Sequence, residues 1–164
     1  EFRRVLFRSA YWRDVGTIEA YFEANMDLCS VKPQLNLYRK EWPTYTLWHN
    51  DPPAKTVFSE LGDGRRAEVQ DSLLCPGVVV SGAKVRRSLL SNLVYVDEHS
   101  QLDECIVMRG ARIGKRCKLK RVIVDKWNEV PDGTVIGYDL EADRKRFTVS
   151  STGIVVVARG HQWK

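Results

Sequence analysis

From residue 73 onward, aliphatic residues return every 17 positions in three interleaved series. The first is Val79, Val96, Ile113 and Val130; the second is Val85, Leu102, Leu119 and Ile136; the third is Leu73, Leu90, Val107 and Val124. Successive aliphatic positions lie 6, 5 and 6 residues apart, and Ala83, Ser100, Cys117 and Thr134 keep step as small or polar positions. Helical solenoids use repeats of about 33 residues or more, with apolar positions every three or four. A hexad of the form aliphatic–x–x–x–small–x suits a chain that makes three short strands per coil. One aliphatic side chain per strand points inward, and small residues sit where the backbone turns. Coils of this kind stack at about 4.8 Å through parallel ladders. The pattern predicts a mainly β chain: a parallel β-helix of about four coils within residues 68–164.

The pattern upstream is different. Residues 11–42 read as helical and then as broken. Thr17 can cap a helix, Glu19 suits its first turn, and Ile18, Tyr21, Phe22 and Met26 fall on one face. Pro33 interrupts, and residues 34–41 have the makings of a short second helix before Pro43. Residues 43–67 read as a linker that wraps a neighbouring body. It is punctuated by Pro43, Pro52, Pro53 and Gly62-Asp63-Gly64, with extended pieces at 45–48 and 56–61. Residues 1–10 have neither period nor cap and read as a non-native or truncated leader; the alternative is an edge strand at 5–7.

Composition narrows the classes further. The 43% apolar content is that of a globular protein, and no apolar run approaches the length of a membrane span. No secretory signal is legible, so a cytoplasmic location is expected. Cys29, Cys75, Cys105 and Cys117 lack metal-ligand spacing and read as free thiols. The net charge of +5 comes from 26 basic residues against 21 acidic ones. That balance fits a phosphorylated small molecule as well as it fits nucleic acid, and no nucleic-acid partner is expected.

The repeat resembles the hexapeptide left-handed β-helix of acyltransferases and sugar-phosphate nucleotidyltransferases. Flanking motifs narrow the resemblance to the glucose-1-phosphate adenylyltransferase family. They are Tyr11-Trp12-Arg13-Asp14-Val15-Gly16-Thr17 with the helix behind it, Pro52-Pro53-Ala54-Lys55, Val135-Ile136-Gly137, and Gly153-Ile154-Val155-Val156-Val157. The resemblance covers about residues 11–160. It implies an enzyme that forms ADP-glucose and pyrophosphate from ATP and glucose 1-phosphate with Mg²⁺, in glycogen or starch synthesis. It also implies a homotetramer under the control of phosphorylated effectors. The family's glycine-rich nucleotide loop, catalytic lysine and first metal aspartate have no counterpart in this sequence. The chain thus reads as the C-terminal part of such an enzyme, inactive alone, with residues 11–42 closing the catalytic domain. Gly62-x-Gly64-x-x-Ala67 leads into the β-helix rather than opening a helix, and reads as a turn.

By that resemblance Asp14 is the second Mg²⁺ ligand and Trp12 lines the sugar pocket. The physical need is sound, since Mg²⁺ takes one or two carboxylates and fills its shell with phosphates and water. A carboxylate ahead of a helix can also be a cap or a salt-bridge partner, and Trp12 can be a buried aromatic. The resemblance assigns effector binding to Lys126, where many bacterial members carry arginine, and to Arg159, which matches a family arginine. Lysine cannot supply arginine's bidentate fork. The basic run at 115–121 reads as a solvated outer face. Two competing functions stay open: a free-standing acyltransferase using His99 as general base, and a non-enzymatic assembly module. His49 is the other histidine to follow.

Overall fold

The computed structural model describes residues 12–41, 43–45, 49–58 and 66–163. The chain opens with helix α1 (Ile18–Leu28), started by Thr17, whose Oγ1 accepts the Ala20 N–H at 3.1 Å. Strand β1 (Lys55–Val57) follows, and the coils begin. The first coil is β2 (Glu68–Gln70), β3 (Leu73–Leu74) and β4 (Val79–Ser81). The second is β5 (Lys84–Arg86), β6 (Leu89–Leu90) and β7 (Tyr95–Val96). The third is β8 (Gln101–Asp103), β9 (Ile106–Val107) and β10 (Arg112–Ile113); the fourth is β11 (Lys118–Lys120), β12 (Val122–Val124) and β13 (Glu129–Val130). Strand β14 (Val135–Ile136) starts another coil. Helix α2 (Leu140–Arg144) and a hairpin of β15 (Thr148–Val149) and β16 (Val155–Val157) then close the end.

Three sheets form the walls of the prism, in the orders β1-β4-β7-β10-β13, β2-β5-β8-β11-β14 and β3-β6-β9-β12-β16-β15. Every pairing is parallel except β15 with β16. The inward columns are those the period predicts from the second coil onward: Val96-Ile113-Val130, Val85-Leu102-Leu119-Ile136 and Leu90-Val107-Val124, all 0–3% exposed. Val157 of β16 extends the third column, in register with Val124.

The first coil departs from the predicted register. Leu74, not Leu73, pairs with Leu90, and Val80, not Val79, pairs with Val96. The cause is a shorter corner: Val80 to Val85 is five residues, whereas Val96 to Leu102 is six. Leu73 instead belongs to an outer column. The third sheet carries Leu73, Leu89, Ile106, Ile123 and Val156 on its outer face, where they pack with Phe22, Met26 and Cys29 of the α1 segment. A wall apolar on both faces needs a cover, and α1 is that cover.

The corners are left-handed turns. Gly82, His99, Arg116 and Gly133 stack with φ of 54°, 61°, 56° and 72°. Each precedes a predicted small residue, and Ala83, Ser100 and Cys117 are fully buried. Ser100 Oγ donates to the Gly114 carbonyl at 2.6 Å and accepts the Cys117 N–H at 3.0 Å, tying neighbouring coils. All four cysteines are free thiols, and burial pushes the Cys105 thiol up to about 12.

The predicted helix at 34–41 does not form; these residues make turns and bends. Asn36 Oδ1 accepts the Tyr38 N–H at 2.9 Å, an Asx turn that competes with helix, and Leu35, Leu37 and Tyr38 stay exposed. Residues 1–11, 42, 46–48, 59–65 and 164 lie outside the described residues. They include the leader with its alternative edge strand, most of the 45–48 piece, the end of the 56–61 piece, and the Gly62-Asp63-Gly64 turn.

Candidate effector corner and the seat of the Asp14 segment

Helix α1 runs against the stacking direction. Its N-terminal end meets the last coils: Glu19 accepts a hydrogen bond from Ser151 Oγ in the β15–β16 connection at 3.1 Å. One turn on, Arg121 lies over the Phe22 ring at 5.3 Å. Burial and the nearby Asp125 carboxylate raise the Tyr21 hydroxyl above its ordinary range. At the far end, Cys29 lies against Leu73 of the first coil. Eleven residues make a helix of about 16 Å, which spans about three coil steps of ~4.8 Å.

Beneath α1 runs a charged chain. Arg121 reaches Glu104 at 3.1 Å, and Arg87 reaches the same carboxylate at 3.5 Å. With Phe22, Glu23, Met26, Thr152 and Ile154 these groups line a cavity of about 230 Å³. Arg121 therefore serves two purposes: it neutralises the Glu104 carboxylate and supports the helix.

The seat of α1 fixes where the Asp14 segment leaves the coil, at the end carrying β16. Asp14 is exposed; its Oδ1 accepts the Gly16 N–H at 3.1 Å, and among the described residues Oδ2 accepts nothing. A Cβ on Gly16 would lie 3.3 Å from Oδ1, so glycine there keeps the carboxylate uncrowded. An exposed carboxylate of this kind could supply one ligand to a Mg²⁺ ion, and further ligands would have to come from outside the described residues. Trp12, expected in a pocket, is 79% exposed beside it. Among the described residues no cluster of three or more His, Cys, Asp or Glu side chains could hold a metal ion.

Lys126 and Arg159 are brought together by the coil, although 33 positions separate them in sequence. Val124 pairs with Val157, so each cation stands two residues beyond a paired valine, in neighbouring layers of one corner. The ladder continues past the strands, with the Asp125 N–H donating to Val157 O at 2.9 Å. Asn128 Nδ2 donates to Ala158 O at 3.1 Å and locks the two layers. Both cations are exposed, and neither forms an ion pair among the described residues. Arg86 and Arg109, by contrast, are spent on partners: Arg86 grips Asp103 with two nitrogens at 3.0 and 2.7 Å, and Arg109 grips Asp51 at 3.0 and 3.3 Å. Next to Arg159, Arg144, Lys145, Arg146 and His161 line a cavity of about 300 Å³ with Phe147, Thr148, Val156 and Ala158.

His99 is a half-buried corner residue whose N–H donates to the Gly82 carbonyl at 3.1 Å. The carboxylates ahead of it are buried and engaged, Asp97 by Arg112 at 3.3 Å and Glu98 by Lys115 at 3.3 Å. His49 is exposed on the linker. Of the basic run at 115–121, Lys115 and Arg121 make ion pairs across coils rather than facing solvent alone.

Sequence reasoning missed the seat of α1 and the clamp at Asp51. The first had a signal: each parallel strand of the third sheet carries an apolar residue immediately before the inward one. The clamp had none, because Asp51 and Arg109 meet only once the coil is wound.

Stacked coils, three parallel walls and left-handed corners define a hexapeptide-repeat parallel β-helix. The family model described as GlmU-like, C-terminal hexapeptide matches residues 52–157, and the chain belongs to that family, with its left-handed coil. Its relatives narrow the assignment. The chain is 50% identical over 149 residues to glucose-1-phosphate adenylyltransferase of Geobacter metallireducens, covering 90% of this chain and 36% of the relative. It is 46% identical over 149 residues to the enzyme of the same name from Anaeromyxobacter sp., covering 91% and 36%. A third, from Rhodopirellula baltica, is 46% identical over 155 residues, covering 93% and 35%. The chain spans about a third of the length of these relatives.

Proposed function

We propose that this chain is the β-helix part of a glucose-1-phosphate adenylyltransferase, serving in effector binding and assembly. The enzyme as a whole forms ADP-glucose and pyrophosphate from ATP and glucose 1-phosphate with Mg²⁺, in the cytoplasm and as a homotetramer. ATP binds to a part of the enzyme that this chain does not span. Asp14 contributes one Mg²⁺ ligand and Trp12 a wall of the sugar site. Lys126 and Arg159 hold the phosphate of an allosteric effector.

The observation that carries this reading is the pairing of Lys126 with Arg159 at one corner. Two exposed cations without ion-pair partners suit a phosphate, which rewards charge-assisted hydrogen bonds from both. Helix α1 connects that end of the coil to the Asp14 segment, so a ligand there can bias the metal site. The test is phosphate binding by this chain, followed by calorimetry at low salt. Lys126→Ala with Arg159→Ala should weaken it at least roughly tenfold, the equivalent of about 1.4 kcal/mol. Unchanged affinity sinks the assignment.

A further inference from the structure

The corner between the third sheet and the first carries Asn92 and Arg109 in neighbouring layers, each two residues beyond a member of the Leu90–Val107 pair. The ladder fixes both backbones. The Gly110 N–H donates to Asn92 O at 2.9 Å, and the Trp127 N–H donates to Arg109 O at 3.1 Å. Their side chains converge on one carboxylate. Arg109 Nη1 donates to Asp51 Oδ2 at 3.0 Å and Nη2 to Oδ1 at 3.3 Å, while Asn92 Nδ2 donates to Oδ2 at 3.0 Å. A planar fork on both oxygens, with an amide on one of them, is a complete receptor for a carboxylate.

The group that fills this receptor belongs to the linker, and the linker is thinly held. Of residues 43–45 and 49–54, all but Asp51 are exposed. Among the described residues, one backbone hydrogen bond ties this stretch to the coil, from the Gly77 N–H to Pro52 O. The receptor is therefore built by the coil, whereas its occupant is held by little besides the receptor.

We propose that Asn92 and Arg109 form a binding site for a small carboxylate, with Asp51 as its built-in occupant. The linker then works as a strap. An external carboxylate takes the Arg109 fork, Asp51 moves to solvent, and residues 49–54 lift from the coil. A ligand tethered by a short linker competes at an effective concentration of about millimolar. The strap thus yields to carboxylates at that level or above. This site is separate from the Lys126–Arg159 pair and does not rest on the phosphate reading.

The test is a nuclear magnetic resonance titration of the 164-residue chain with sodium acetate, against sodium chloride at equal ionic strength and near-neutral pH. The Asn92 side-chain amide and the Arg109 Nε–H report the receptor; hydrogen exchange of the Gly77 amide reports the strap. Asp51→Ala should bind acetate at least roughly tenfold tighter than the wild type, the factor expected when the receptor is free a tenth of the time or less. Adding Arg109→Gln should abolish that binding, and adding Lys126→Ala with Arg159→Ala should leave it unchanged. In the wild type, saturating acetate should quicken Gly77 exchange by about the same factor, while the Gly110 and Trp127 amides keep their protection. Equal acetate affinity of Asp51→Ala and wild type overturns the receptor, as does binding that is lost with Lys126 and Arg159 instead. Acetate that saturates the wild type and leaves Gly77 exchange unchanged overturns the strap, a readout that needs no substitution.

Discussion

The stacked coils and the segment ahead of them bury apolar surface in opposite ways. In the coils each aliphatic residue touches its own equivalents one layer up and down, so the core is built of columns such as Val85-Leu102-Leu119-Ile136. Among the described residues no strand exceeds three residues, and none would persist alone. The segment at 12–54, ahead of strand β1 and its ladder to β4, has no such repetition. It holds to the coil at separate points: Phe22 and Met26 on the third sheet, Asp51 on Arg109 and Asn92, and the Pro52 carbonyl on the Gly77 N–H. The coil's order is therefore cooperative, whereas the segment's order depends on a few anchors.

That contrast can be broken most sharply inside a column. Leu119 is fully buried in the fourth coil. Leu119→Ala should cost about 2–5 kcal/mol and lower the melting temperature by roughly 5–20 °C. By contrast Leu37→Ala, on an exposed turn, should stay within about 0.5 kcal/mol. Similar effects of the two would show that the columns do not carry the fold.

A smaller and more local effect should follow at the α1 seat. Phe22→Ala removes a buried ring and the partner of Arg121. Hydrogen exchange of α1 amides should quicken at least roughly tenfold, while amides of β8 and β11 keep their protection. Coils that loosen together with α1 would mean that the two regions fold as one unit.

The smallest effect is expected at the linker clamp, and it depends on pH. Hydrogen bonding from Arg109 holds the Asp51 carboxyl below its ordinary range. A folded value below the unfolded one gives stability that is present above about pH 4 and lost as the pH falls through the folded value. Asp51→Asn should therefore lower stability at pH 7 and bring the variant and wild type together as the pH falls through the folded value of Asp51, as read from chemical denaturation. A difference that persists at low pH would contradict the clamp.

How much was legible in the sequence follows from the same contrast. A column repeats its signal in every coil, so the inward positions from Val85 onward could be read from the period alone. The first coil slipped by one because Leu73-Leu74 and Val79-Val80 are apolar on both faces. Only the short Gly82-Ala83 corner reveals which residue turns inward. The helix expected at 34–41 failed because a propensity is realised only with a face to bury, and Leu35 and Leu37 find none. Lys126 and Arg159 were nameable as separate residues, but their meeting is a property of the ladder between β12 and β16.

The proposed division of labour, with binding and assembly in the coil and chemistry elsewhere, has one direct test. The purified chain is incubated with ATP, glucose 1-phosphate and Mg²⁺, and pyrophosphate is measured. No release above the protein-free blank is expected at any chain concentration. Pyrophosphate formation that rises in proportion to the chain and disappears in Asp14→Asn would contradict that division.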